Sequence, residues 1–84
     1  MRILIVDDST YIRTQLKATF ENNGYTVVGL AANGEQAIDM AMELNPDVIT
    51  LDNVLPDMTG VDVLKALRHH KGLTKIIMIS AVGQ

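Results

Sequence analysis

Two adjacent acids, Asp7 and Asp8, directly follow the apolar run Ile3-Leu4-Ile5-Val6, and a third, Asp52, directly follows Val48-Ile49-Thr50-Leu51. If the two runs are neighbouring parallel strands, their carboxyl ends bring three carboxylates to one spot, where open α/β sheets place their sites. Close carboxylates repel one another unless a cation sits among them. The constellation therefore asks for a divalent metal, and a set of oxygen donors only suits Mg²⁺. One of the three acids is then free to attack a phosphoryl group as a nucleophile.

The elements that must position these acids follow from the hydrophobic pattern. Residues 2 to 7 read as a strand; after Asp8-Ser9, the residues Ile12, Leu16, Thr19 and Phe20 recur at helical spacing, up to Asn23-Gly24. Gly24 suits the left-handed position just past a helix. Tyr25 to Leu30 read as a second strand. Asn33 then caps a helix with Glu35 in its first turn and Ala37, Ile38, Ala41 and Leu44 on its buried face, and Pro46 stops it. Asp47 to Asp52 form the third strand, and Thr59 begins a third helix carrying Val61, Val63, Leu64 and Leu67 and closed by Gly72. The last strand is Lys75 to Ser80. A helix between every pair of strands leaves room for crossovers, so the order is βαβαβαβ with a parallel sheet and helices on both faces.

Composition bounds the function. The 84 residues suit one domain, and 48% apolar with 20% charged residues is globular rather than disordered. The net charge of −3 and scattered Lys and Arg offer no basic stripe, so nucleic acid is not an expected partner. No apolar run approaches the roughly 20 residues of a spanning helix, and Met1-Arg2 leads into acids rather than a signal-peptide core, so no membrane partner is expected. With no cysteine there is neither a disulfide scaffold nor a thiolate metal site, and a cytoplasmic location is the default.

Three stretches together carry a resemblance: Ile5-Val6-Asp7-Asp8-Ser9, Leu51-Asp52-Asn53-Val54-Leu55-Pro56-Asp57-Met58-Thr59-Gly60, and Ile79-Ser80-Ala81. In this order on three strand ends they resemble the receiver domain of two-component response regulators, most closely the single-domain chemotaxis-type receivers, over the whole chain, 1–84. The resemblance implies a flavodoxin-like doubly wound parallel sheet with strand order 2-1-3-4. A full receiver runs to about 120 residues, so the chain reads as truncated after its fourth strand, without the last helix, strand and helix. The family's lysine on that further strand has no counterpart, since no lysine follows Lys75.

Carried over by position, the resemblance makes Asp52 the phospho-acceptor, taking a phosphoryl group from the phosphohistidine of a sensor histidine kinase. It makes Asp7, Asp8, Asp52 and the backbone carbonyl of Val54 the Mg²⁺ ligands. Ser80 would donate its hydroxyl to a phosphoryl oxygen, and the backbone amides of Asn53 and Ala81 would bind the others. The role is signalling rather than enzymatic turnover. A metal-dependent phosphohydrolase is disfavoured, because Val54 stands where a general acid would be needed.

Blander readings stand beside these. Asp7-Asp8 alone would be a helix-capping pair, Asp52 alone an Asx turn ahead of Pro56, and Ser80 alone a turn residue. Asp57, Met58 and Thr59 read as loop and cap. Neighbouring His69 and His70 point about 100° apart on a helix and do not easily share an ion; they suit a solvated helix end. The five methionines read as filler. Finally, Lys75-Ile76-Ile77-Met78-Ile79-Ser80 has the unbroken apolar pattern of a strand covered on both faces. With no further strand beside it, such an edge invites association. A homodimer through this strand and the uncovered sheet face is therefore expected, and a dimerisation or interaction module without a working phospho-switch is the alternative function.

Overall fold

The computed structural model describes residues 1–70 and 74–79. Along the chain run β1 (Arg2–Val6), α1 (Thr10–Asn22), β2 (Thr26–Ala31), α2 (Gly34–Leu44), β3 (Val48–Asp52), α3 (Gly60–Arg68) and β4 (Lys75–Ile79). All strand pairs are parallel, in the order β2-β1-β3-β4. This is the expected flavodoxin-like receiver topology. Among the described residues no helix is long and apolar enough to cross a membrane.

Alternation in β1 divides the core. Leu4 and Val6 join Ile49, Leu51, Ala37, Ala41, Val63 and Leu67 beneath α2 and α3, whereas Ile3 and Ile5 meet Val48 on the other face, beneath Leu16 and Phe20 of α1. The two central strands are thus buried on both faces, as the apolar runs required. Their backbones are held in register, Val6 beside Leu51, so the residues that follow each strand emerge side by side.

Three helix starts are fixed by side chains. Ser9 Oγ accepts from the Ile12 N–H, Asn33 Oδ1 from the Gln36 N–H, and Thr59 Oγ1 from the Asp62 N–H while Asp62 reciprocates to the Thr59 N–H. The last pair is a capping box. Gly24 adopts φ +87°, the left-handed conformation expected of it after α1.

Several boundaries and faces differ from the sequence reading. Tyr25 is not in β2: its N–H donates to the Phe20 carbonyl, closing the end of α1, and its ring meets Phe20 edge-on at 6.1 Å. α3 ends at Arg68 with His69 as its cap, short of Gly72, which lies outside the described residues together with Lys71, Leu73 and residues 80–84. Of the residues read at helical spacing, Ile12 and Thr19 of α1 and Val61 of α3 are exposed. Among the described residues α1 is the one helix on its face of the sheet, and it reaches the core through the narrow strip of Leu16 and Phe20. β4 is the sheet edge, and Ile77 and Met78 remain 54% and 37% exposed. The two-sided burial suggested by the pattern of β4 is therefore not realised within the described residues.

Candidate functional site

Asp7 leaves β1 and is 7% exposed; its own N–H still donates to the Ala31 carbonyl of β2, so its backbone is part of the sheet. The side chain turns back, and Oδ1 accepts from the Ser9 N–H at 2.9 Å, which both restrains the carboxylate and leads into the cap of α1. Asp8, next in the chain, is exposed. Asp52 closes β3, partly buried, with Oδ1 accepting from the Val54 N–H at 3.2 Å. One carboxylate oxygen from each of the three acids lies within 4.8 Å of the others. The parallel pairing of β1 and β3 delivers the anionic cluster predicted from the sequence.

Electrostatics make this cluster uncomfortable. Burial pushes the Asp7 carboxyl above its ordinary value of 3.8, the Ser9 N–H opposes that shift, and the charges of Asp52 and Asp8 raise it further. Arg13 counters in part: its guanidinium donates to the Asp7 carbonyl at 2.7 Å and to Thr10 Oγ1 at 3.0 Å, placing a cation beside the cluster. This arrangement fits a hard divalent cation. The donors are all oxygen, they are already gathered, and the exposed side of Asp8 leaves access for the waters that Mg²⁺ retains.

The loop between β3 and α3 is tied at both ends. At its neck the Gly60 N–H donates to the Asn53 carbonyl at 2.8 Å, and Val54 bridges to Thr59. A Cβ on Gly60 would stand 2.6 Å from the Asp52 carbonyl oxygen and 2.9 Å from Asn53 Cα, so glycine is what lets α3 start this close to the acid. At its tip Asp57 accepts from the Gly34 N–H at 2.7 Å and the Glu35 N–H at 2.9 Å. Those bonds, Gly34 first, hold the Asp57 carboxyl below the usual carboxylate range.

Of the residues singled out from the sequence, Asp7, Asp8 and Asp52 are brought together. Val54 lies next to them, with its N–H on Asp52. The Asn53 N–H is directed at the Ile79 carbonyl over a long 3.4 Å. Ser80 and Ala81 lie outside the described residues. His69 and His70 are exposed at the end of α3, away from the acids in sequence and element. Two roles escaped the sequence reading. Arg13 sits one helical turn past the α1 cap, a local spacing that could have revealed it, whereas the partners of Asp57 are 23 and 22 positions away and left no local signal.

A parallel sheet in this order, with paired acids after β1 and a lone acid after β3, defines a receiver, and the family model of the response regulator receiver domain matches residues 3–84. The chain belongs to that family of signalling domains. Among its relatives, the chemotaxis protein CheY of Thermotoga maritima is 42% identical over 83 residues, covering 99% of this chain and 69% of the relative. The response regulator domain of Thermotoga maritima CheB superposes with a TM-score of 0.91 at 39% identity, covering 100% of this chain and 63% of that one. CheY in the CheX–CheY–BeF₃–Mg²⁺ complex from Borrelia burgdorferi gives 0.91 at 35% identity, covering 100% and 64%. The chain thus spans a little under two thirds of these two crystallised receivers.

Proposed function

We propose that the chain, acting as one unit over residues 1–84, accepts a phosphoryl group on Asp52 from a sensor histidine kinase in a Mg²⁺-dependent step of two-component signalling. The observation that carries this reading is the gathering of three carboxylates from two adjacent strand ends within 4.8 Å. Its kinship with chemotaxis receivers, one of them crystallised with BeF₃ and Mg²⁺, supports it. A cytoplasmic location goes with such a role.

Asp52 is the acid best placed to be the nucleophile. It terminates β3, its Oδ1 is held by the Val54 N–H, and the second oxygen, which takes no hydrogen bond among the described residues, would approach phosphorus. The O–P bond forms as the P–N bond of the phosphohistidine breaks, and the departing imidazole keeps the electron pair. Carboxylate is a weak nucleophile, so orientation and charge compensation must supply the rate. Asp7, Asp8, Asp52 and the Val54 carbonyl would hold Mg²⁺, which when bound neutralises the acids and the transferring phosphoryl oxygens. Asp7, restrained by Ser9 and backed by Arg13, keeps its carboxylate in place through the transfer. The Asn53 N–H, whose contact to the Ile79 carbonyl is a long 3.4 Å, would turn to a phosphoryl oxygen, and by the family resemblance the Ser80 hydroxyl and Ala81 amide would serve the others.

Incubation with Mg²⁺ and acetyl phosphate should add one phosphoryl group to the wild type, detected by intact mass, and none to Asp52→Asn. A wild type that takes up no phosphoryl group from acetyl phosphate or from a phosphorylated kinase would end this reading.

The exposure of Ile77 and Met78 on the edge strand favours a second role, self-association through β4 and the adjoining sheet face. Under it, light scattering finds a dimer whose mass is insensitive to Mg²⁺ and phosphodonor, and Ile77→Asp with Ile79→Asp abolishes folding. A stable folded monomer of the parent chain excludes it.

A further inference from the structure

Asp57 adds a polar tie between the 53–59 loop and α2, which otherwise meet through apolar packing, Leu55 and Met58 sharing a core with Ala37 and Ala41. Its two carboxylate oxygens take the free N–H groups of Gly34 and Glu35 at the first turn of α2, one each, at 2.7 and 2.9 Å. Beside it Met58 lies so close against Gly34 that a Cβ there would collide with Met58 Cγ and Sδ. α2 is itself a fixed reference, because Ala37 and Ala41 are wholly buried in the core. The neck of the loop is closed separately, by the Gly60–Asn53 hydrogen bond and the Val54–Thr59 bridge. A loop held only at its neck can pivot there; one held at neck and tip cannot.

The geometry points to Asp57 as a positioning residue for the acid cluster: by gripping the N-terminus of α2 it holds the 53–59 loop so that the Val54 backbone stays beside Asp52. Val54 is where this matters. Its N–H orients the Asp52 carboxylate at 3.2 Å, and its carbonyl belongs to the ligand set proposed above, so a pivot of the loop would disturb both. The charged form of Asp57 is the one that grips, in keeping with its depressed carboxyl pKa. This inference rests on the Mg²⁺-dependent phosphoryl-acceptor reading and adds how that site is kept in shape.

The test uses the full chain with Asp57→Ala and Asp57→Asn. Mg²⁺ binding is followed by calorimetry, with acetyl phosphate labelling across a Mg²⁺ series and amide exchange at Gly34 and Glu35. Loss of the grip should raise the Mg²⁺ dissociation constant and the half-saturating Mg²⁺ concentration roughly tenfold in Asp57→Ala, the scale of lost support behind a metal ligand. The labelling rate at saturating Mg²⁺ should change far less, and exchange should quicken at both amides. Asp57→Asn, keeping one acceptor oxygen, should fall between and carries the test should Asp57→Ala not fold. A lower melting temperature with an unchanged Mg²⁺ midpoint would make Asp57 merely structural and overturn the inference. A wild type that neither binds Mg²⁺ nor becomes labelled would instead sink the functional reading on which it stands.

Discussion

Removing one negative charge from the acid cluster should make the metal-free protein more stable. Asp7→Asn is the informative change, because Asp7 is the buried member and an asparagine carbonyl can still accept the Ser9 N–H bond now made at 2.9 Å. With carboxylate oxygens within 4.8 Å of one another, each like-charged pair repels by about 1 kcal/mol if fully screened by water and by about 3.5 kcal/mol at an effective dielectric of 20. Asp8 is exposed and Asp52 partly so, which puts the low end closer to the truth. The substitution deletes two of the three pairs, a gain of about 2 kcal/mol, or roughly 10 °C in melting temperature for a domain of this size.

The sign with pH follows from the direction of the shift. The Asp7 carboxyl is raised above 3.8 in the folded state, so the fold binds its proton more tightly than the unfolded chain does. The penalty is absent below about pH 3.8, where both states are protonated. It grows as pH rises towards the elevated value and is constant above it. Thermal melts of wild type and Asp7→Asn in chelator at low salt should therefore separate near neutral pH and converge in acid. Under the proposed Mg²⁺ site, adding Mg²⁺ should reverse the order, because a ligand stabilises the fold according to its affinity and the variant lacks one of the carboxylates proposed to hold the ion. A variant melting at or below the wild type in chelator at pH 7 would refute the claim that the cluster is strained by its own charge.

Three further outcomes follow from the same structure. Thr50 Oγ1 is buried on β3 without a hydrogen-bond partner among the described residues, so Thr50→Val, close to it in shape, should stabilise by about 1 kcal/mol in urea denaturation. Gly60→Ala would put a methyl group 2.6 Å from the Asp52 carbonyl oxygen, where backbone has to move; it should cost about 1 to 3 kcal/mol in the same assay and slow labelling by acetyl phosphate. Asp57 and Asp62 are both held below 3.8 by backbone N–H groups, so their contribution is present above that pH and lost as pH falls through the depressed values; in urea titrations Asp62→Asn should flatten the acid limb, and an unchanged limb would count against the capping box.

What the sequence revealed was whatever the chain decides locally. The acids could be placed because the apolar runs before them could only be central strands, and the caps Asn33 and Thr59 could be named because their side chains bond groups within three residues. Of the four α1 residues read at helical spacing, Leu16 and Phe20 reach the core while Ile12 and Thr19 are exposed, because helical periodicity reports which face is apolar and not how wide a strip the neighbouring layer can cover. Tyr25 was read as the start of β2, whereas its backbone N–H closes α1 on the Phe20 carbonyl. The grip of Asp57 on α2 stayed hidden for a different reason. It joins groups 23 positions apart in sequence, and an Asp after a proline looks the same whether it faces water or a helix end.

The location of the acids follows from topology as much as from residue type. From β1 the chain crosses through α1 to β2 on one side, and from β2 it crosses back through α2 over β1 to β3 on the other. The segments leaving the carboxyl ends of β1 and β3 therefore depart in opposite directions, and a crevice opens between these two strands and no others. Acids after β2 or β4 would each stand beside only one neighbouring strand end, and not at this divergence. Thus Asp7, Asp8 and Asp52 meet because the strand order forces them to, and the core beneath, from Leu4 to Leu51, must be rigid enough to withstand their repulsion. The loop clamp at Asp57 belongs to the same logic. The loop flanking the crevice is rooted in the core through Leu55, and its tip takes further support from the first turn of α2.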